Sequence, residues 1–325
     1  MKRILKWLGA ALLGLVLLAA IVPLLVPVRP LDGLLPPGDL AGPDSQFVTL
    51  PFAGTDGIDI HYVDKGPREA ERVVILLHGS VFNLSTWDRV IDRFAARGRV
   101  IAYDQAPFGL SEKPVSGDWT AGSPLDPAAN IARVIQLMDA LSVERATLVG
   151  NSYGAVLAVR TADAHPDRVA ALVLGNPAVY VDESLPEWVM DLPQVTRLGP
   201  LLARAIGGSE AFIASTWANP DRMPAERMAK TLVHTKVENW DLGLWSYLHE
   251  WRTPDLSPVI ARLAPPLLVV SGTEDNIVPI ADSRRLHDAV PGSALHLLPN
   301  CGHVPQEECP EAYAEAVFNW LDGLE

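Results

Sequence analysis

A serine becomes a nucleophile only when a base can take its proton and the chain holds its hydroxyl clear of the surrounding packing. Residues 148–155, LVGNSYGA, meet the second condition: a short apolar run enters Gly150-Asn151-Ser152-Tyr153-Gly154, the pattern G-x-S-x-G. Small residues on either side of Ser152 permit a sharp turn from strand to helix, with the serine at its apex and the next N–H at a helix start. A buried structural turn can have the same pattern, so the partners decide. After the apolar run 267–270 comes SGTEDNIVP, which places Glu274 and Asp275 in one loop, and after 294–298 comes PNCGHVP, which places His303 in another. A histidine oriented by a carboxylate is the base a serine needs. Asp275 is preferred to Glu274, and to position 176, where an asparagine cannot carry charge.

Those three residues meet only if the elements before them point the same way. Apolar or alternating runs occur at 47–52, 58–63, 73–77, 100–103, 146–149, 169–174, 267–270 and 294–298. Several are fully apolar, as strands covered on both faces must be. Helical patterns lie between them, at 126–141 (opened by Asp126-Pro127), 152–164, 282–290 and 310–321. Alternation of strand and helix predicts an α/β fold with a mostly parallel sheet and an antiparallel edge made by the first two strands. Ser152, Asp275 and His303 then share the rim at the carboxyl ends of the strands, where ligands bind in such sheets. Residues 176–263 break the rhythm. They contain no apolar strand but hold Trp188, Trp217, Trp240, Trp245 and Trp251, and read as an inserted helical cap. Most of these tryptophans are expected to pack its core, with one or two lining an apolar pocket.

Composition narrows the function. The 325 residues are 49% hydrophobic, enough for a large core, and the formal net charge of −13 argues against nucleic-acid binding. The eight histidines and two cysteines lack metal-ligand spacing, so no metal and no cofactor are expected. Lys2, Arg3 and Lys6 precede an uncharged run over residues 7–28. Its 22 residues would form a helix of about 33 Å, enough for a bilayer core of about 30 Å. No small-x-small cleavage site follows, and the basic tip predicts a cytoplasmic N-terminus with the main domain on the extracytoplasmic side. Domain organisation is read as 1–28 tip and transmembrane anchor, 29–44 linker, 45–175 with 264–325 as the core, and 176–263 as the cap. Cys301 and Cys309 stand eight residues apart, a separation that allows a disulfide or two thiols.

Taken together, HGSVFNLSTW at 78–87, YDQAPFGLS at 103–111, GNSYG, GTEDNIVP and GHVPQEECP resemble the α/β-hydrolase superfamily in its capped serine-hydrolase branch, over residues 47–321. The resemblance implies an eight-stranded α/β-hydrolase fold, a Ser152-His303-Asp275 triad, and an oxyanion hole from the backbone N–H groups of Ser80 and Tyr153. In that pattern His78 shapes a turn and Asp104 is structural. Pro107 and Phe108 depart from it and are expected at the pocket wall. The expected activity is hydrolysis of a carboxylic ester of a hydrophobic small molecule. Alternatives are carbon–carbon hydrolysis of a vinylogous diketone, against which Val304 stands where tryptophan is frequent, acyl transfer, and a tethered ligand-binding protein on the same scaffold.

Overall fold

The structure, a computed structural model, describes residues 2–181, 186–251 and 255–324; Met1, Glu325 and residues 182–185 and 252–254 of the expected cap lie outside them. Its strands are β1 (Gln46–Leu50), β2 (Ile58–Lys65), β3 (Val73–Leu77), β4 (Arg99–Tyr103), β5 (Ala146–Asn151), β6 (Val169–Gly175), β7 (Leu267–Gly272) and β8 (Ala294–Leu298). They form one sheet in the order β1-β2-β4-β3-β5-β6-β7-β8. β1 and β2 pair antiparallel and β2 meets β4 antiparallel, while β4, β3, β5, β6, β7 and β8 run parallel to one another.

The helices are α1 (Lys2–Leu25), α2 (Ile91–Ala95), α3 (Pro127–Ala140), α4 (Tyr153–Ala164), α5 (Glu187–Met190), α6 (Pro193–Gly207), α7 (Glu210–Ser215), α8 (Ala225–Thr231), α9 (Trp240–Glu250), α10 (Ser257–Ile260), α11 (Ile280–Ala289), α12 (Pro305–Glu308) and α13 (Pro310–Asp322). Successive strand residues face opposite layers. Ile75, Leu77, Leu148, Leu172 and Leu174 pack with α3 and α4, and Val74, Leu76, Val149, Val173 and Val270 pack with α2 and α13. This two-sided cover is why the central strands read as unbroken apolar runs. Each fully buried Leu or Ile contributes about 1.5–3 kcal/mol, so the sheet is a rigid frame for whatever its loops carry. At α3 the expected start is realised: the Asp126 carboxylate accepts from the Ala129 N–H at 2.7 Å and Pro127 takes the first turn.

Between β6 and β7 the described chain is helical. α6 and α9 cross where Gly199 meets Trp245, and a Cβ there would lie 2.1 Å from the indole ring. Trp217, Trp240 and Trp245 are buried in this insert, Trp251 is partly exposed, and Trp188 is 69% exposed on α5. Residues 29–44, expected as a linker, do not run free. The Leu35 N–H donates to the Lys236 carbonyl at 2.8 Å, the Glu238 N–H donates back to Leu35 at 3.1 Å, and Leu31 and Leu34 pack against the main core. Their Leu content, under the Pro and Gly signal, explains the docking. Cys301 and Cys309 are joined as a disulfide.

Candidate active site

The turn after β5 explains its own residues. Ser152 sits at φ 55°, ψ −117°, a conformation that costs a non-glycine residue on the order of 1–3 kcal/mol and persists only where packing enforces it. The enforcing contacts are at the two glycines. A Cβ on Gly150 would lie 2.3 Å from the Gly154 carbonyl oxygen, and one on Gly154 would lie 2.1 Å from that of Leu77. With both methyls absent, α4 starts directly against the ends of β3 and β5. Ser152 is lifted into a cavity while its N–H is held by the Gly175 carbonyl at 2.9 Å.

Across the rim, Asp275 Oδ2 accepts from His303 Nδ1 at 2.9 Å, and both side chains are almost completely buried. The same oxygen accepts from Asn176 Nδ2 at 2.5 Å, and Oδ1 accepts from the N–H groups of Ile277 at 2.7 Å and Val278 at 3.0 Å. Burial alone would raise this carboxyl, but the hydrogen bond and charge of His303 with the two backbone donors outweigh it, so it is held below the usual carboxylate range. An ionised carboxylate only accepts, which puts the proton on Nδ1 and leaves Nε2 as the acceptor. His303 is itself set from the backbone: its N–H donates to Thr216 at 2.7 Å and its carbonyl accepts from Asn151 Nδ2 at 3.0 Å. Glu308 fastens this loop to the insert, accepting from the N–H groups of Gly302 at 2.7 Å and Ala218 at 2.9 Å.

Ser152 and His303 line one cavity of about 420 Å³, together with Ser80, Tyr153, Tyr247, Trp251, Ile206, Val278 and other apolar groups. No direct hydrogen bond joins the Ser152 hydroxyl to the imidazole among the described residues, a contact that commonly tightens only when substrate is bound. Tyr153 opens α4, and neither its N–H nor that of Ser80 donates to a described backbone acceptor. Glu274, the competing carboxylate, is exposed. His78 braces the turn after β3, with Nδ1 against the Gly79 carbonyl at 2.7 Å and Nε2 accepting from the Gln105 N–H at 2.9 Å. Asp104 accepts from the N–H groups of Leu84 and Leu110, each at 2.6 Å, and faces His61 at 2.7 Å.

Sequence reasoning missed two groups. Asn176, set aside for lacking charge, donates to Asp275 and accepts from the Gly272 N–H at 3.2 Å. Its position directly after β6, facing the same rim, was the available signal. Tyr247, on α9, places its hydroxyl 3.0 Å from Ser80 Oγ, and no local pattern foretells that pairing across 167 residues. Pro107 and Phe108 do not line the cavity. The Phe108 ring lies one layer back, edge-on to Tyr247 at 4.8 Å, because the insert places Tyr247 between it and the cavity.

Comparison with known proteins agrees with this architecture. The family model described as alpha/beta hydrolase fold matches residues 72–310. A 2-hydroxy-6-oxononadienedioate/2-hydroxy-6-oxononatrienedioate hydrolase of Burkholderia vietnamiensis is 30% identical, over 85% of this chain and 95% of its own. A 2-hydroxy-6-oxo-6-phenylhexa-2,4-dienoate hydrolase of Burkholderia cepacia is 28% identical, over 85% and 96%. The solved structure of the enol-lactonase from Burkholderia xenovorans LB400 superposes with a TM-score of 0.67 at 26% identity, covering 84% of this chain and 100% of that one. With the sheet order, the strained turn at Ser152 and the family match over most of its length, the chain belongs to the α/β-hydrolase fold family and is a hydrolase of that fold.

Proposed function

We propose that the protein is a serine hydrolase cleaving the carboxylic ester of a hydrophobic small molecule, held at a membrane by α1 with its catalytic domain on the extracytoplasmic side. The observation that carries the substrate class is the cavity lining. Apart from His303, the described residues around Ser152 are apolar, aromatic or neutral hydroxyl groups, with no Lys, Arg, Asp or Glu among them. The 30%-identical relative is named for a dienedioate, and a dianion in so apolar a cavity would lack a cationic partner. A neutral acyl chain fits it. Burial raises the phenols of Tyr153 and Tyr247, so both remain neutral hydroxyls.

In this mechanism Ser152 Oγ attacks the acyl carbon as His303 Nε2 takes its proton, with the imidazolium steadied by Asp275. The oxyanion is met by the N–H groups of Ser80 and Tyr153, each such donor being worth about 3 kcal/mol. His303 then gives the proton to the departing alkoxide and an acyl-enzyme remains. A water, deprotonated by His303, attacks the acyl carbon, and the carboxylic acid leaves as Ser152 is reprotonated. α1 supports the anchor reading, since its residues Lys6–Leu25 are long and apolar enough to cross a bilayer and none of the described residues in that stretch is fully buried.

Carbon–carbon hydrolysis is the second reading, favoured by the names of the relatives. A series of 4-nitrophenyl esters of rising chain length, assayed beside a vinylogous diketone acid, separates the two. We expect kcat/KM to rise with acyl length and the diketone acid to be turned over far more slowly. The reverse preference would replace the ester reading with the second.

A further inference from the structure

The end of α1 does not stand apart from the catalytic domain. Most of the helix is uncovered: Leu12, Leu13 and Leu15 are each 60% exposed or more. Among its described residues Gly14, Ala20 and Pro23 are partly covered, as are Val26 and Val28 just beyond its end. There α6 packs alongside. Gln194 Nε2, at the start of α6, donates to the Ala20 carbonyl at 2.9 Å, and Arg204, near its end, donates to the Arg29 carbonyl at 2.8 Å. The two contacts fix direction and level: α6 begins beside Ala20 and runs with the chain as it leaves the helix.

That level has a consequence for the cap. The apolar stretch of α1 ends at Leu25, and Ala20 lies five residues inside it, about 7.5 Å at 1.5 Å per residue. If Lys6–Leu25 fills the hydrocarbon layer, the amino end of α6 is drawn below the lipid boundary, and α5 comes with it. The side chains at this corner suit such a place. Trp188 is 69% exposed and Leu192 39% exposed, while Leu202 further along α6 is 47% exposed. Tryptophan and leucine on a surface facing a bilayer interface are stabilised there, whereas in water they are not. Arg197 is exposed on the next turn, towards the headgroups. Of the described acids nearby, Asp191 is paired with His249 at 2.9 Å and Glu187 is exposed at the start of α5. The same helix also walls the cavity: Ile206 lines it from α6, and Phe212, 37% exposed, lines it from α7.

We propose that the corner formed by α5 and the first half of α6 is seated in the leaflet on the catalytic side of the bilayer spanned by α1, so that hydrophobic esters reach Ser152 from the lipid phase. This rests on the anchor reading of α1. The occupant of the corner is lipid, not a second copy of the chain, because the start of α6 lies beside Ala20, within the length of the apolar stretch of α1.

The test uses the full chain in vesicles of palmitoyl-oleoyl phosphatidylcholine. Both native cysteines are in the disulfide, so a single new cysteine is the only free thiol to label. A fluorophore is placed at Leu12→Cys in α1, Leu192→Cys in the corner and Glu315→Cys on α13, and each labelled protein is first shown to retain ester turnover. Quenching by lipids carrying a nitroxide on the acyl chain is compared with quenching by iodide. The expected result is that lipid quenching exceeds iodide quenching several-fold at positions 12 and 192 and that the order reverses at 315. Lipid quenching at 12 with iodide quenching at 192 would overturn this proposal and leave the anchor intact. Iodide quenching at 12 would overturn the anchor reading first. Protection of position 192 from both quenchers would assign the corner to a second copy and equally end the proposal.

Discussion

The rim of the sheet and the helical insert above it build opposite walls of one cavity by different physics. At the rim, each candidate group stands within a few residues of a strand end, and backbone contacts that admit no side chain fix its place: Gly150 against Gly154, Gly154 against Leu77, and Gly272 with a Cβ position 2.3 Å from the Cys301 carbonyl oxygen. In the insert, Ile206, Tyr247 and Trp251 reach the cavity from helices that meet through side-chain packing, such as Gly199 under Trp245. On the proposed function, chemistry that depends on angles is placed on backbone and recognition that depends on shape on side chains. One can vary without disturbing the other.

Substitutions can break or sharpen that division. The largest loss is expected at the proposed base: His303→Ala should lower kcat for a 4-nitrophenyl ester by on the order of 10⁵-fold with the fold kept, read by steady-state kinetics and circular dichroism. Asp275→Asn preserves shape but alters the imidazole tautomer, and a fall of roughly 10⁴-fold in kcat is expected. Asn176→Ala removes one donor from the Asp275 carboxylate, which should reduce kcat about tenfold for every ester alike, since hydrogen bonds to charged groups are worth about 1.5–3 kcal/mol. Trp251→Ala, in the insert, should instead lower kcat/KM only for long acyl chains, by a few-fold, and leave acetate esters unchanged. Should Trp251→Ala depress all esters equally, or Asn176→Ala select among chain lengths, the separation of chemistry from recognition would fail.

The smallest effect concerns acid stability. The folded Asp275 carboxyl lies below its ordinary value, so its stabilisation is complete above the unfolded pKa and drains away as pH falls through the folded one. Thermal unfolding of Asp275→Asn should therefore show a shallower loss between neutral and acidic pH than that of the parent protein.

What the sequence disclosed follows the same line. Strands covered on both faces must be largely apolar, so residues 73–77, 169–174 and 267–270 announced the parallel sheet, and the glycines around Ser152 announced a turn that only small residues fit. Position along the strands then brought Asp275 and His303 to the rim. The groups missed depend on distance in sequence. Asn176 acts through a partner 99 residues away, and Tyr247 through one 167 residues away, so neither leaves a local pattern. In the stretch 29–44 the proline and glycine content gave no sign that the Leu35 backbone pairs with Lys236 and Glu238, about two hundred residues further along.

The central claim is that Ser152 is the nucleophile. The direct measurement is reaction of the folded, full-length protein with a fluorophosphonate, followed by peptide mass spectrometry and ester turnover on the same sample. We predict one phosphonyl adduct, on Ser152, with turnover falling in proportion to its formation and no adduct in Ser152→Ala. An adduct on another residue, or ester turnover undiminished when Ser152 is fully modified, would contradict the account.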